Sequence, residues 1–167
     1  GVNGRDRLAA VAEIERAAVV SAAERLRNAS IPVEIVSVGS TPTALFAEHL
    51  QGVTEMRPGV YMLGDLFQAG LGTCLTSDLA STVLSTVISH REASNRLVID
   101  AGALALSKDR STSGQTIDTG YGLIADGRTG QLIEGLRIDS VHQEHGEVIS
   151  LGTMPWEALP IGATVRV

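Results

Sequence analysis

The stretch Val38 to Ala44, VGSTPTA, has the residue types of an anion-binding turn. An apolar run leads into it, and Pro42 suits the first position of a helix that would start there. The first N–H groups of a helix have no intrahelical acceptor, and the positive end of the helix dipole lies beside them. Gly39 would let the main chain come close to a ligand, while Ser40 and Thr41 add hydroxyl donors. The chemistry this suits is the grip of a phosphate. The same residues also make an ordinary capped turn, and the motif alone does not choose between the two. A second glycine turn stands in TEMRPGVYMLGD, Thr54 to Asp65. If both turns open at the C-terminal ends of neighbouring barrel strands they converge, and the two could grip one phosphate.

Other reactive side chains are few. Lys108 is the single lysine and lies in SKDRSTSG, a polar, surface-like loop. His142 and His145, in VHQEHGE, would face one ion on a helix, but their flanks read as strand and turn. A structural or rim role suits His145, and His49 and His90 read as surface residues. Cys74 has no second thiol for a disulfide, redox or zinc pair, so a reducing, cytoplasmic setting is expected. Tyr61, Met62 and Asp65 have plain readings as strand packing and a helix cap. Asp100, in VIDAG, either orients a group at a subunit interface or satisfies backbone donors. Trp156, the one tryptophan, reads as a residue that packs a loop onto its domain.

These residues need elements to hold them. Leu8, Val11, Ile14, Ala18, Ala22 and Leu26 recur at helical spacing, which predicts an amphipathic helix over residues 7 to 28 with Asp6 as its N-cap. Pro32 bars continuation, and Val33, Ile35, Val36 and Val38 read as a strand buried on both faces. A helix capped by Thr41 and ended by Gly52 follows. Then comes a second strand at Val60 to Leu63, and a short helix capped by Asp65 that Gly70 and Gly72 terminate. This alternation predicts the last units of an α/β barrel or doubly wound sheet. After Thr73 the texture changes. Residues 79 to 89 and 96 to 106 are rich in β-branched and small residues, and turns such as ADGRTGQ separate the later runs, so an all-β domain is expected from residue 74.

The chain has 167 residues, 44% of them hydrophobic and 19% charged, which is globular composition. Its net charge of −6 and its lack of basic clusters argue against a nucleic-acid partner. No run approaches the roughly 18 apolar residues of a membrane span, and the opening GVNGRDRL has no signal-peptide pattern. The lack of an initiator Met and the strand-like ending LPIGATVRV read as a fragment.

Four segments, VGSTPTA, TEMRPGVYMLGD, VIDAGALALSKD (Val98 to Asp109) and QEHGEV (Gln143 to Val148), occur in the order and approximate spacing of D-threonine aldolases and eukaryotic-type D-serine dehydratases. The chain resembles this family over almost its whole length. The resemblance implies the alanine-racemase-type architecture, α/β plus all-β. Residues 1–73 would be the C-terminal part of a (β/α)₈ barrel that binds pyridoxal 5'-phosphate (PLP), and residues 74–167 a β domain. It also implies that Gly39, Ser40 and Thr41 hold the PLP phosphate, with Gly59 and Tyr61 from the second turn. No catalytic residue and no metal ligand is implied in this chain. The family's Schiff-base lysine lies near the start of its barrel. Its His-x-Cys or His-x-Asp pair for a divalent ion, Mn, Zn or similar, follows a strand like Gly162 to Val167.

Lys108 then reads as solvated or interfacial. The implied activity is that of a PLP- and metal-dependent lyase acting on small D-β-hydroxy amino acids. Aldolase cleavage of Cα–Cβ to glycine and an aldehyde is favoured over D-serine dehydration. The chain alone would be inactive, and the intact enzyme a homodimer completed by the remaining N-terminal part of the barrel. Two rivals differ in class. A phosphate-binding module would lack catalysis altogether, and a racemase of this fold would need a catalytic tyrosine in the β domain. Tyr121 is the only tyrosine there, and its surroundings do not resemble the racemase pattern.

Overall fold

A computed structural model describes residues 4–167 and divides the chain after Ala80 into two compact units. The division falls seven residues beyond the expected boundary at 73. No helix among the described residues is long and apolar enough to cross a membrane.

The first unit opens with α1, Gly4–Asn28, and Asp6 lies inside its first turn rather than at its cap. The packed face of α1 is not the predicted stripe. Ala12 and Ala23 are buried, while Val11 and Leu26 are exposed and Ile14 is 69% exposed. Small alanines let the helix approach its neighbours closely, with Val19 and Val20 half-buried, while Val11, Ile14 and Leu26 stay outside that contact. Two short parallel strands follow, β1, Ser37–Val38, and β2, Glu55–Met56. Val36 and Val38 are buried, but Ile35 is exposed, so the predicted strand is real only at its C-terminal end.

Between the strands lies α2, Thr41–Phe46, with Ser40 rather than Thr41 at its N-cap, since the Ser40 hydroxyl accepts from the Thr43 N–H. Gly52 does not end this helix. It takes φ +86° in a later turn, where an added Cβ would meet both Val20 γ-methyls at 2.9 Å. The predicted strand at Val60 to Leu63 is instead a 3₁₀ turn over Val60–Met62. Its main chain closes on itself, Leu63 and Gly64 both donating to the Val60 carbonyl, so no ladder forms. The next helix, α3, Leu66–Leu71, is capped by Asp65 and stopped by Gly72 at φ +78° as expected, whereas Gly70 lies inside it and does not end it.

The second unit is a closed barrel of six antiparallel strands. These are β3, Leu84–Arg91, β4, Arg96–Ile99, β5, Leu123–Asp126, β6, Leu132–Val141, β7, Gly146–Ser150, and β8, Thr164–Arg166. They pair around the barrel in the order β3-β4-β7-β6-β5-β8. Inward residues alternate along the strands: Ser85 and Val87 on β3, Leu136 and Ile138 on β6. A register shift after Ile138 returns Val141 to the buried side. Val87, Leu97, Ile99, Ile124, Leu136, Ile138, Val148 and Val165 form the core. The ADGRTGQ turn joins β5 to β6, its Asp126 carboxylate accepting from the Arg128 and Thr129 N–H groups.

Residues 96–106 are only half strand. After Ile99 the chain leaves the sheet and forms α4, Ala103–Leu106. The N–H groups of Ala103 and Leu104 donate to the carbonyls of His142 and Gln143, at 2.7 and 3.2 Å, so the β6–β7 hairpin satisfies the start of this helix. Gly102 makes the approach possible, because a Cβ there would lie 2.4 Å from the His145 nitrogen.

Candidate functional site

The two glycine turns of the first unit are neighbours. The Tyr61 N–H donates to the Thr41 hydroxyl at 3.1 Å, and Thr41 is 4% exposed. At Gly39 an added Cβ would sit 2.8 Å from the Arg57 carbonyl oxygen, so that position tolerates no side chain. Arg57 in turn donates to the Ser37 hydroxyl at 2.6 Å. The parallel pairing of β1 and β2 brings both strand ends to the same side, and this places the turns together.

Gly39, Ser40 and Thr41 therefore lie beside the segment that carries Gly59 and Tyr61. The hydroxyls expected to face an anion are engaged within the protein, however. Ser40 accepts from the Thr43 N–H and shares a 2.8 Å bond with the Thr43 hydroxyl, and Thr41 holds Tyr61. Recognition of an anion at this place falls on main-chain N–H groups. Gly39 is one such group, and its N–H already donates to the Glu15 carboxylate of α1 at 3.2 Å. A crevice against this turn is lined by Ala12, Glu15, Gly39, Ser40, Thr43 and Met56, among others. Tyr61 itself is 59% exposed, and its ring is not part of that lining.

The remaining candidates take structural places. Lys108 is exposed, just past the end of α4. His142 and His145 lie in the β6–β7 hairpin with their rings stacked at 4.4 Å, not on a helix. No group of three or more His, Cys, Asp or Glu suited to a metal ion occurs among the described residues. His90 is not a plain surface residue. Its Nε2 bonds the Leu159 carbonyl at 2.8 Å, and its ring lies 5.0 Å from that of Trp156, which packs against the barrel core. His49 is exposed beside Glu13. Tyr121 packs against the barrel core with the Arg110 guanidinium 5.8 Å from its ring centre.

Asp100 serves the fold. Its carboxylate accepts from the Thr86 N–H and the Ser85 hydroxyl, both at 2.7 Å, and those two bonds, the first foremost, hold its pKa below the usual aspartate value. A depressed folded-state pKa contributes stability that is present above the unfolded value near 3.9 and lost as pH falls through the lower folded value. The destabilisation caused by Asp100→Asn is therefore expected to be constant from neutral pH down to about pH 5 and to shrink below about pH 4. Paired urea melts at several pH values check this, and a destabilisation that grew in acid would contradict it.

Sequence reasoning missed Glu15, which lies 24 residues from the turn it meets and belongs to no local motif. Thr43 was missed as well, although Ser40-x-x-Thr43 has the spacing of a cap that could have found it.

Comparison with known proteins gives the context. A family model described as a putative serine dehydratase domain matches residues 80–167. The D-threo-3-hydroxyaspartate dehydratase of Delftia sp. (strain HT23) is 48% identical over 139 residues, 83% of this chain and 36% of that protein. The D-serine dehydratase of Dictyostelium discoideum is 30% identical over 153 residues, 86% of this chain and 37% of that one. The chain thus spans little more than a third of the length of these relatives.

Among solved structures, the Delftia enzyme superposes with a TM-score of 0.90 at 43% identity, over 97% of this chain and 44% of that one. An Ala racemase-like protein from Idiomarina loihiensis gives 0.91 at 39% identity, over 97% and 43%. D-threonine aldolase from Filomicrobium marinum gives 0.60 at 23% identity, over 97% and 39%, a likeness of fold. With over half of its residues inside the matched domain, the chain belongs to the serine dehydratase-domain family, whose relatives are lyases.

Proposed function

We propose that this chain is part of a PLP- and divalent-metal-dependent lyase that dehydrates a D-3-hydroxy amino acid, D-threo-3-hydroxyaspartate or D-serine in type. The observation that carries this reading is the 48% identity to the Delftia dehydratase over 139 residues, a stretch too long to lie within either unit alone. The aldolase preference drawn from sequence has no comparable support, because the aldolase likeness is one of fold at 23% identity. Retro-aldol cleavage and dehydration act on the same β-hydroxyl: it loses a proton in the first and departs as water in the second. A metal is in keeping with a solved mutant of a D-threo-3-hydroxyaspartate dehydratase, described as its metal-free form.

The first unit supplies a place for the cofactor's phosphate. Gly39 keeps the turn clear of a side chain, and Ser40 caps α2 by accepting from the Thr43 N–H. Thr41 ties down the second turn at Tyr61, with Gly59 beside it. PLP, once bound, supplies an electron sink for negative charge at Cα. This chain's residues hold and orient that group, and Lys108 takes no part.

The test is product analysis of the full-length protein with PLP and a divalent metal, offered D-threo-3-hydroxyaspartate, D-serine and D-threonine. Ammonia and a 2-oxo acid are expected from one of the first two, with loss of activity after chelation. Glycine and an aldehyde as the main products would overturn the dehydratase reading.

A further inference from the structure

The Glu15 carboxylate receives the Gly39 N–H across 24 residues of sequence, from the middle of a 25-residue helix. It is half-buried, lines the crevice beside the turn, and has no salt bridge among the described residues. Its neighbour Arg16 does not neutralise it: that guanidinium is spent on Glu13 and on the Gln51 carbonyl at 2.7 Å. Gly39 is the one residue of the turn with no side chain to hold it. Packing restrains it only from the other side, where the Arg57 main chain stands.

We infer that Glu15 is a positioning residue for the phosphate-binding turn, its carboxylate fixing the Gly39 peptide so that the amides of Ser40 and Thr41 are presented ready-formed. The inference rests on the cofactor reading above for the identity of the ligand. A charged acceptor makes the stronger kind of hydrogen bond. Holding a turn in its binding conformation raises affinity by removing the ordering cost from the binding step. The carboxylate's charge acts in the opposite sense, since it stands near a site meant for a dianion. Hydrogen bond and charge therefore separate cleanly in two variants: Glu15→Gln keeps an acceptor oxygen and loses the charge, whereas Glu15→Ala loses both.

Two readouts on the full chain test this. In amide hydrogen exchange, the Gly39 N–H is expected to exchange about tenfold faster in Glu15→Ala, the scale of a bond worth about 1.4 kcal/mol, and faster by a smaller factor in Glu15→Gln, whose neutral oxygen is the weaker acceptor. The Thr43 N–H, held by Ser40, serves as the internal reference. In titrations with inorganic phosphate and with PLP, Glu15→Ala is expected to bind about tenfold more weakly and Glu15→Gln at least as tightly as the parent. Unchanged Gly39 exchange in Glu15→Ala, or equal affinities of the two variants, would overturn the inference. If the parent binds neither probe while Glu15→Ala still loosens Gly39, the phosphate reading fails and the anchoring of the turn by Glu15 stands.

Discussion

Replacing Gly120 by alanine is expected to cost the barrel about 3 kcal/mol or more, a large share of the roughly 5–15 kcal/mol that holds an ordinary domain folded. Two penalties act together. Gly120 has φ +64°, a left-handed conformation that costs an L-residue roughly 1–2 kcal/mol. Its missing Cβ would also lie 2.1 Å from the Ile138 carbonyl oxygen, a main-chain atom that already accepts from Tyr121 and so has nowhere to retreat. The Gly120 N–H is fixed as well, donating to Asp118 at 2.9 Å. Trp156 is the sole tryptophan and packs on the barrel core, so its fluorescence during urea unfolding reports on this unit. An alanine variant melting within error of the parent would show that the 118–122 turn is free to relax. Gly114, whose Cβ would meet nothing within 4 Å, is the matched control.

Ile138→Ala is expected to cost about 3–4 kcal/mol, in the middle of the range for truncating a buried aliphatic side chain. Ile138 is wholly buried and sits on β6 next to the register shift, where a cavity cannot close by a slide of the strand. Its main chain is held twice by the neighbouring 121–122 segment, the N–H donating to Gly122 and the carbonyl accepting from Tyr121, both at 2.9 Å. Relaxation into the vacated volume is thereby restricted, and that pushes the cost above the lower end of the range. Ile161→Ala removes a similar side chain from a position 63% exposed, and its expected cost is below about 0.5 kcal/mol. Denaturation midpoints of the pair decide the matter, and similar losses for both would contradict the core assignment.

What the sequence made legible follows from how local each signal is. Asp65 and Gly72 bracket α3 through bonds within one or two turns, so composition alone placed that helix. The β domain was readable because residues 79 to 89 and 96 to 106 are rich in the β-branched residues that suit strands, and glycine turns separate the later runs. Val60 to Leu63 misled because four apolar residues in a row fit a buried strand as well as a turn. What decides is the bond from Tyr61 to Thr41, 20 residues away. The α1 stripe failed for a related reason. Periodicity finds the larger apolar side chains, whereas the fully buried residues of α1 are Ala12 and Ala23, and a pattern of large residues cannot report close approach by small ones. At the candidate site, the turn's residues were visible and its wiring was not. That Thr41 spends its hydroxyl on Tyr61, 20 residues away, leaves no mark in the order of residues.

Only three residues of β8, Thr164–Arg166, stand between β3 and β5, yet they close the ring of strands. Without them Leu84–Thr86 and Ala125–Asp126 would each lose a partner, and a sealed cylinder would become an open sheet with two bare rims. Unpaired strand edges recruit other chains. Translation adds this staple last, after the rest of the barrel has been made, so until those residues arrive the nascent domain is sticky along two seams.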